Sequence, residues 1–285
     1  MSKNTTNPTK SLKIPQFIIL SCKICAFIST KLVTIYTAKL FTTPIKHKVP
    51  KREFEMDQKS IQNTIYVPQI HKSVVTYKYG ESDRKILLVH GWSGRGTQLF
   101  KIADELLKLG YSTISFDAPA HGKSKGKTTI MSDFIAAILE IEKQYGIFEV
   151  AIGHSLGGMS VLNAIKDGLQ VNKAVIIGSG DIVQDILDDF IAKLHLKQEI
   201  SERLRNLFEE KYQVKMDDFS AYRAAQKIQI PVLVIHDKDD PEVPAKAGIH
   251  IHEQLKNGIL YITQGLGHRK ILGNQNVIKK ISEFI

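Results

Sequence analysis

Cysteine is nearly absent from this chain. Only Cys22 and Cys25 occur among 285 residues, which excludes a disulfide framework and fits a reducing compartment, the cytoplasm. Their Cys-x-x-Cys spacing lacks a surrounding βαβ thioredoxin pattern, and no further cysteine completes a zinc set. The pair therefore reads as two small apolar residues on one helix. Acidic residues are missing from positions 1–52, which hold ten of the 39 Lys and Arg residues. The other 29 basic residues balance 29 Asp and Glu, so the formal charge of +10 belongs to an N-terminal arm and the body is neutral. That distribution excludes a basic body gripping nucleic acid. Long apolar runs are lacking too. Lys23 and Lys31 interrupt each one before it reaches the ~18 residues of a membrane span. Lys23 also splits the apolar stretch that a signal peptide needs, and a mitochondrial presequence would be rich in the arginine that this region lacks.

A chain of this length suits one large α/β domain with an appendage. Residues 1–13 are Ser, Thr, Asn and Lys without periodicity, the composition of a mobile tail. From Pro15 to Phe41, Phe17, Leu20, Ile24, Phe27 or Ile28, Leu32 and Ile35 recur at helical spacing, and the pattern predicts one amphipathic helix. Two readings of it stay open: packing of the apolar stripe on the body, or peripheral contact with an anionic membrane surface. The body, residues 53–285, begins with short alternating segments that predict an antiparallel edge. Strand and helix patterns then alternate through Ile177, which predicts a mostly parallel central sheet with helices on both faces. Residues 181–226 carry helical patterns only and form a small cap insertion before the alternation resumes at Pro231.

The chemistry centres on Gly153-His154-Ser155-Leu156-Gly157, placed between an apolar strand pattern and a helical one. Gly153 and Gly157 leave room for backbone to approach, and Ser155 is driven to the tip of a strained turn. A serine hydroxyl needs a base within hydrogen-bond reach, and that base needs an orienting carboxylate. In such sheets functional side chains gather at the carboxyl ends of the strands. Asp240 follows the strand Val232–Ile235, with Asp237 and Asp239 read as solvated turn formers. His268 lies in the loop after the final strand. An oxyanion needs two N–H donors; Leu156 supplies one and Trp92, after the strand Lys85–Val89, the other, with its indole walling the pocket.

These segments, together with Phe116-Asp117-Ala118-Pro119-Ala120-His121-Gly122-Lys123-Ser124, resemble the serine hydrolases of the α/β-hydrolase superfamily, esterase- or lipase-like. The resemblance spans roughly residues 70–285. It implies the α/β-hydrolase fold, a catalytic triad of Ser155, Asp240 and His268 in the family's chain order, and a structural role for the Asp117–Ser124 loop, with no catalytic part for His121. Ala120 departs from the family's usual glycine, which is tolerable where the backbone needs no positive φ. His250 and His252, two apart on a helix, face different directions and make poor metal partners, so neither metal nor cofactor is expected. The expected substrate is a small-molecule carboxylic ester or other acyl compound, processed through an acyl-enzyme. Amide or peptide cleavage, and a catalytically silent fold used for binding, remain the alternatives.

Overall fold

A computed structural model describes residues 14–285; the tail expected over 1–13 lies outside them. Among the described residues eight strands form one open sheet: β1 (Ile61–Val67), β2 (Lys72–Tyr79), β3 (Lys85–Val89), β4 (Ser112–Asp117), β5 (Phe148–His154), β6 (Val171–Ile177), β7 (Val232–Asp237) and β8 (Gly258–Thr263). Their spatial order is β1-β2-β4-β3-β5-β6-β7-β8. β2 pairs antiparallel with β1 and with β4, and the pairs from β4 across to β8 are parallel. The helices, in chain order, are α1 (Gln16–Ile28), α2 (Thr30–Phe41), α3 (Phe54–Lys59), α4 (Phe100–Lys108), α5 (Met131–Tyr145), α6 (Leu156–Lys166), α7 (Val183–Lys193), α8 (Glu199–Tyr212), α9 (Ala221–Ala225), α10 (Lys246–Gln254), α11 (Gly267–Lys270) and α12 (Gln275–Phe284).

β3, β5, β6 and β7 carry continuous apolar runs because both faces of the sheet are covered there. Leu87, Val89, Val232 and Val234 point into a core closed by α5, α6, α9 and α10. Their alternates Ile86, Leu88, Leu233 and Ile235 point into a second core closed by α4 and α12. The chain leaves β3 for β4 on one side and later places β5 on the other, so β3 and β5 flank the point where strand order reverses. At such a point the loops beyond the carboxyl ends of two neighbouring strands diverge and leave a crevice. The Trp92 loop follows β3 and Ser155 follows β5.

The single helix expected from Pro15 to Phe41 is two helices, divided at Ser29. Ser29 is extended (φ −164°, ψ 134°) and its hydroxyl accepts the Leu32 N–H at 3.5 Å. Adjacent Ser29 and Thr30 offer the backbone local alternatives to helix, and Ser is a favoured N-cap. The two helices fold onto the cap rather than onto the sheet. Cys22 and Val33 join Leu187, Ile191, Leu194, Ile200, Leu204 and Phe208 of the cap region in a third apolar cluster. Burial, with the neighbouring Cys25, pushes the Cys22 thiol up to about 11, so it serves as a small apolar group. From α2 the chain runs extended past the β3 loop, where the Ile45 N–H donates to the Ser93 hydroxyl at 3.0 Å and the Lys46 ammonium donates to the Ser124 carbonyl at 2.6 Å.

Truncating Leu204 to Ala removes a fully buried side chain from this third cluster and should cost about 2–4 kcal/mol locally. Because that cluster shares no buried residue with the two sheet cores, the arm is expected to loosen first. Limited trypsin digestion should then cut between Lys46 and Arg52 several-fold faster than in the wild type.

Candidate active site

Ser155 adopts φ 55°, ψ −121°, a left-side conformation that costs a non-glycine residue roughly 1–3 kcal/mol. Two surrounding features hold it there. Its N–H donates to the Ile177 carbonyl of β6 at 2.9 Å, and the flanking glycines let backbone pass where a side chain would stand. A Cβ on Gly153 would lie 2.3 Å from the Gly157 carbonyl oxygen, and one on Gly157 would lie 2.3 Å from that of Val89. Both glycines are therefore required for space, and the positive φ falls on the serine itself.

His268 and Asp240 meet directly: His268 Nδ1 lies 2.7 Å from Asp240 Oδ2. An ionised carboxylate only accepts, so Nδ1 carries the hydrogen and Nε2 is left with a lone pair. The other Asp240 oxygen accepts the N–H groups of Glu242 at 2.8 Å and Val243 at 2.9 Å. Burial pushes the Asp240 carboxyl up, but His268 and these two amides outweigh it and hold it below the usual carboxylate range. Both side chains are almost completely enclosed, at 5% and 1% exposure. The pair sits beside the elbow: a Cβ on Gly178, the residue after Ile177, would be 3.3 Å from His268 Nδ1. His154 Nε2 also lies 2.9 Å from the His268 carbonyl oxygen. The half-buried Ser155 hydroxyl itself makes no hydrogen bond among the described residues.

The β3 loop is pinned almost residue by residue. Gly91 N–H donates to Gln98 Oε1 at 3.0 Å, and Ser93 N–H donates to His121 Nε2 at 3.0 Å. Gly96 N–H donates to Asp117 Oδ1 at 2.7 Å. Arg95 and Thr97 both reach the buried Glu53 carboxylate, at 2.9 and 2.8 Å. From the same loop His90 Nε2 accepts the Ala118 N–H at 3.0 Å. Burial holds His90 down to about 4 and His121 down to about 3, so both stay neutral and act as fixed acceptors. Gly91 lies against the serine, since a Cβ there would be 2.9 Å from Ser155 Cβ. Among the described residues the N–H groups of Trp92 and Leu156 donate to no other backbone group. The Trp92 indole is 37% exposed and packs edge-on against His121, with ring centroids 5.4 Å apart.

Two family models match in succession: the alpha/beta hydrolase fold over residues 85–214 and the TAP-like protein family over residues 212–285. The chain belongs to the α/β-hydrolase superfamily. Among solved structures, an esterase from Exiguobacterium antarcticum matches at TM-score 0.63 and 18% identity, covering 79% of this chain and 99% of its own. A bromoperoxidase from Bacillus anthracis matches at TM-score 0.61 and 17% identity over 79% and 99% of the two chains. A bacterial membrane phospholipase A matches at TM-score 0.64 and 15% identity over 95% of this chain and 98% of its own. Residues 53–285 are roughly four-fifths of the chain, so this last match extends into the arm. No curated protein matches by sequence.

Two details of this α/β-hydrolase differ from what its sequence predicts. Asp237 is not a solvated turn former. It is fully buried and accepts from Asp239 N at 3.0 Å, Gly267 N at 2.9 Å, Leu266 N at 3.1 Å and Thr263 Oγ1 at 2.7 Å. It thereby clasps the His268 loop to the end of β7. A carboxylate three residues before Asp240 in a loop of three aspartates gives no hint of this; only the parallel pairing of β7 with β8 brings the donors to it. Asp239 lies at the surface and accepts the Gly265 N–H, at 3.0 Å. Ala120 does occupy a positive φ, 65°, so the alanine is tolerated with strain. Its N–H donates to the Lys125 carbonyl at 3.0 Å and fixes the turn in spite of it. His250 pairs with Asp181 at 2.5 Å.

Burial disfavours the Asp237 charge, but the Thr263 hydroxyl and three N–H donors hold its carboxyl below the ordinary range. The stability this adds is complete above the unfolded value near ~4 and is lost as pH falls through the lower folded value. Asp237→Asn should therefore cost about 2–3 kcal/mol at pH 7. In urea titrations the gap between wild type and variant should narrow below pH ~4.

Proposed function

We propose that this α/β-hydrolase cleaves carboxylic esters through an acyl-enzyme on Ser155, with His268 as general base and acid and Asp240 as its orienting carboxylate. The observation that carries this reading is the 2.7 Å bond from His268 Nδ1 to Asp240 Oδ2 beside a serine at positive φ. It fixes the tautomer in which Nε2 is free to accept a proton. Ser155 Oγ attacks the ester carbonyl carbon while Nε2 takes its proton. The tetrahedral oxyanion is met by the N–H groups of Trp92 and Leu156, which the fold leaves without backbone acceptors. Collapse breaks the bond to the alkoxide, which receives the proton from His268 and leaves as alcohol. Water then attacks the acyl carbon, gives a proton to Nε2, and the serine departs with it.

The neighbouring histidines do not compete for that proton. Burial holds His154 down to about 3 and lowers His236. His236 Nε2 faces the Val243 carbonyl at 3.0 Å and stands 3.6 Å from Asp240 Oδ2, so it packs against the carboxylate as a neutral ring. An ester is the acyl substrate that asks least of such a site, since its alkoxide leaves more readily than an amine. Two of the structural neighbours, an esterase and a phospholipase, carry names that point to acyl esters. A silent binding fold would be expected to have lost one of the three side chains, and all three are present.

Fluorophosphonate labelling of the purified chain, with the modified peptide mapped by mass, tests this directly. Label is expected on Ser155 and is expected to vanish in Ser155→Ala and His268→Ala. Turnover of a short-chain nitrophenyl ester should fall by about 10⁴-fold or more in Ser155→Ala, and comparably in Asp240→Asn, where the tautomer is lost while the shape is kept. Ester turnover that survives Ser155→Ala unchanged would sink the assignment.

A further inference from the structure

The arm presents one face to the cap and a different one to solvent. On α1, Ile19 and Cys22 are buried, whereas Phe17, Leu20, Ile24, Phe27 and Ile28 are 72, 60, 52, 94 and 65% exposed. Successive residues on a helix turn by about 100°, so these five fall on one stripe roughly 100° wide, opposite the buried pair. Leu32 and Ile35 of α2 are exposed as well. Isolated apolar residues on a surface need no explanation, but an aromatic and aliphatic stripe of this kind marks a surface that something covers. Lys23 lies exposed on α1 between the stripe and the buried face, and Lys31 and Lys39 are exposed on α2.

We propose that this stripe is a docking face for an anionic lipid surface, with α1 lying flat in the interface. Charge selects this occupant. Residues 1–52 carry ten Lys and Arg and no Asp or Glu, and juxtamembrane lysines gain about 1 kcal/mol each near an anionic leaflet. A second copy of the chain on the same face would bring two acid-free arms together and repel. Geometry selects the orientation. Thirteen residues make a helix about 20 Å long, and among the described residues no helix is long and apolar enough to cross a membrane. The helix therefore lies on the surface, its apolar side chains among the acyl chains and its lysines reaching the headgroups.

The docking face is mechanically tied to the candidate site. α1 and α2 share one apolar cluster with the cap helices. The strand-like stretch after α2 is bonded through Ile45 to Ser93, the neighbour of Trp92. A lipid surface held by α1 thus holds the cap and the mouth of the crevice near it. On the ester-hydrolase reading, this makes acyl esters of membrane lipids the substrate class; the docking itself does not depend on that reading.

Co-sedimentation of the full-length chain with vesicles tests the proposal, comparing phosphatidylcholine alone with an equal mixture of phosphatidylglycerol and phosphatidylcholine. Wild type is expected to bind the anionic vesicles about tenfold or more tightly, from the lysine contribution alone, and to be released by salt. The double variant L20E/F27E changes two exposed residues. It should lose that binding by at least about tenfold while keeping its thermal midpoint and its turnover of a soluble ester. Three outcomes overturn the proposal: no binding of wild type to anionic vesicles, undiminished binding of the double variant, or a wild-type dimer in sedimentation equilibrium that the variant breaks into monomers. Lost docking with intact soluble-ester turnover would leave the ester-hydrolase reading standing. Lost soluble turnover in Ser155→Ala with docking intact would mark the reverse.

Discussion

The site depends on one backbone constraint: Ser155 is held at a positive φ that serine resists. Strain of this kind persists only where the surroundings leave no way to relax it. Here β5 enters the turn paired on both sides, with β3 and with β6, and α6 leaves it as one of the most completely buried helices of the chain. Neither can shift without unpacking the sheet. Gly153 and Gly157 permit the close passage of backbone that the turn requires, and the cost is met by the burial of apolar strand and helix on either side. A hydroxyl fixed in this way loses little freedom when a substrate arrives, and pre-paid ordering of this sort is a large part of what an active site contributes.

A second layer of order surrounds the first and consists mostly of neutral groups. His90, His121, Gln98, Asp117 and Glu53 all spend their acceptors on the chain between Gly91 and Ala118. Burial lowers both histidines, so they accept as uncharged rings and add no positive charge beside Ser155. Two of the five are carboxylates: Glu53, paired with Arg95 at 2.9 Å, and Asp117. Burial raises its carboxyl, but two backbone amides and the Tyr77 hydroxyl satisfy it, and Gly122 must be glycine beside it because a Cβ would lie 2.2 Å from Asp117 Oδ2. Dipoles fixed before the reaction stabilise charge without having to turn during it.

The parts of this architecture that were legible in the sequence are those written in period and spacing. The parallel sheet followed from apolar runs separated by helical patterns, the elbow from its glycines, and the meeting of Asp240 with His268 from their places after late strands. What spacing does not encode is the partner of a side chain. Asp237 and Asp240 stand three residues apart at the end of β7 and in the turn that follows it. Which of them faces the histidine and which clasps the backbone is decided by the register of β7 against β8, where Asp237 is aligned with Thr263. The break at Ser29 was hidden for a related reason. The apolar periodicity continues across it, so a hydrophobic count sees one helix, while the local competition of Ser29 for the backbone, combined with packing on α8, divides it. Ala120 shows the limit of residue preference: a β-carbon at positive φ is disfavoured, yet the hydrogen bond to Lys125 and complete burial hold it there.

The arm gains its structure from the cap, and that dependence constrains both. A pair of short helices with an exposed apolar stripe has little reason to fold alone, since helices of this length are marginal in water without tertiary contacts. Much of the apolar surface of α7 and α8 depends on the arm in turn: Leu187, Ile191, Leu204 and Phe208 meet their partners in the arm and in each other, while Val183 and α9 turn to the sheet core. The arm, α7 and α8 therefore share one apolar layer, and hydrogen bonds that include Ile45–Ser93, Thr129–Thr42 and Asp181–His250 tie it to the rest of the fold. Whatever contacts the outer face of α1 thereby bears on that layer and, through the Ile45–Ser93 bond, on the loop that carries Trp92.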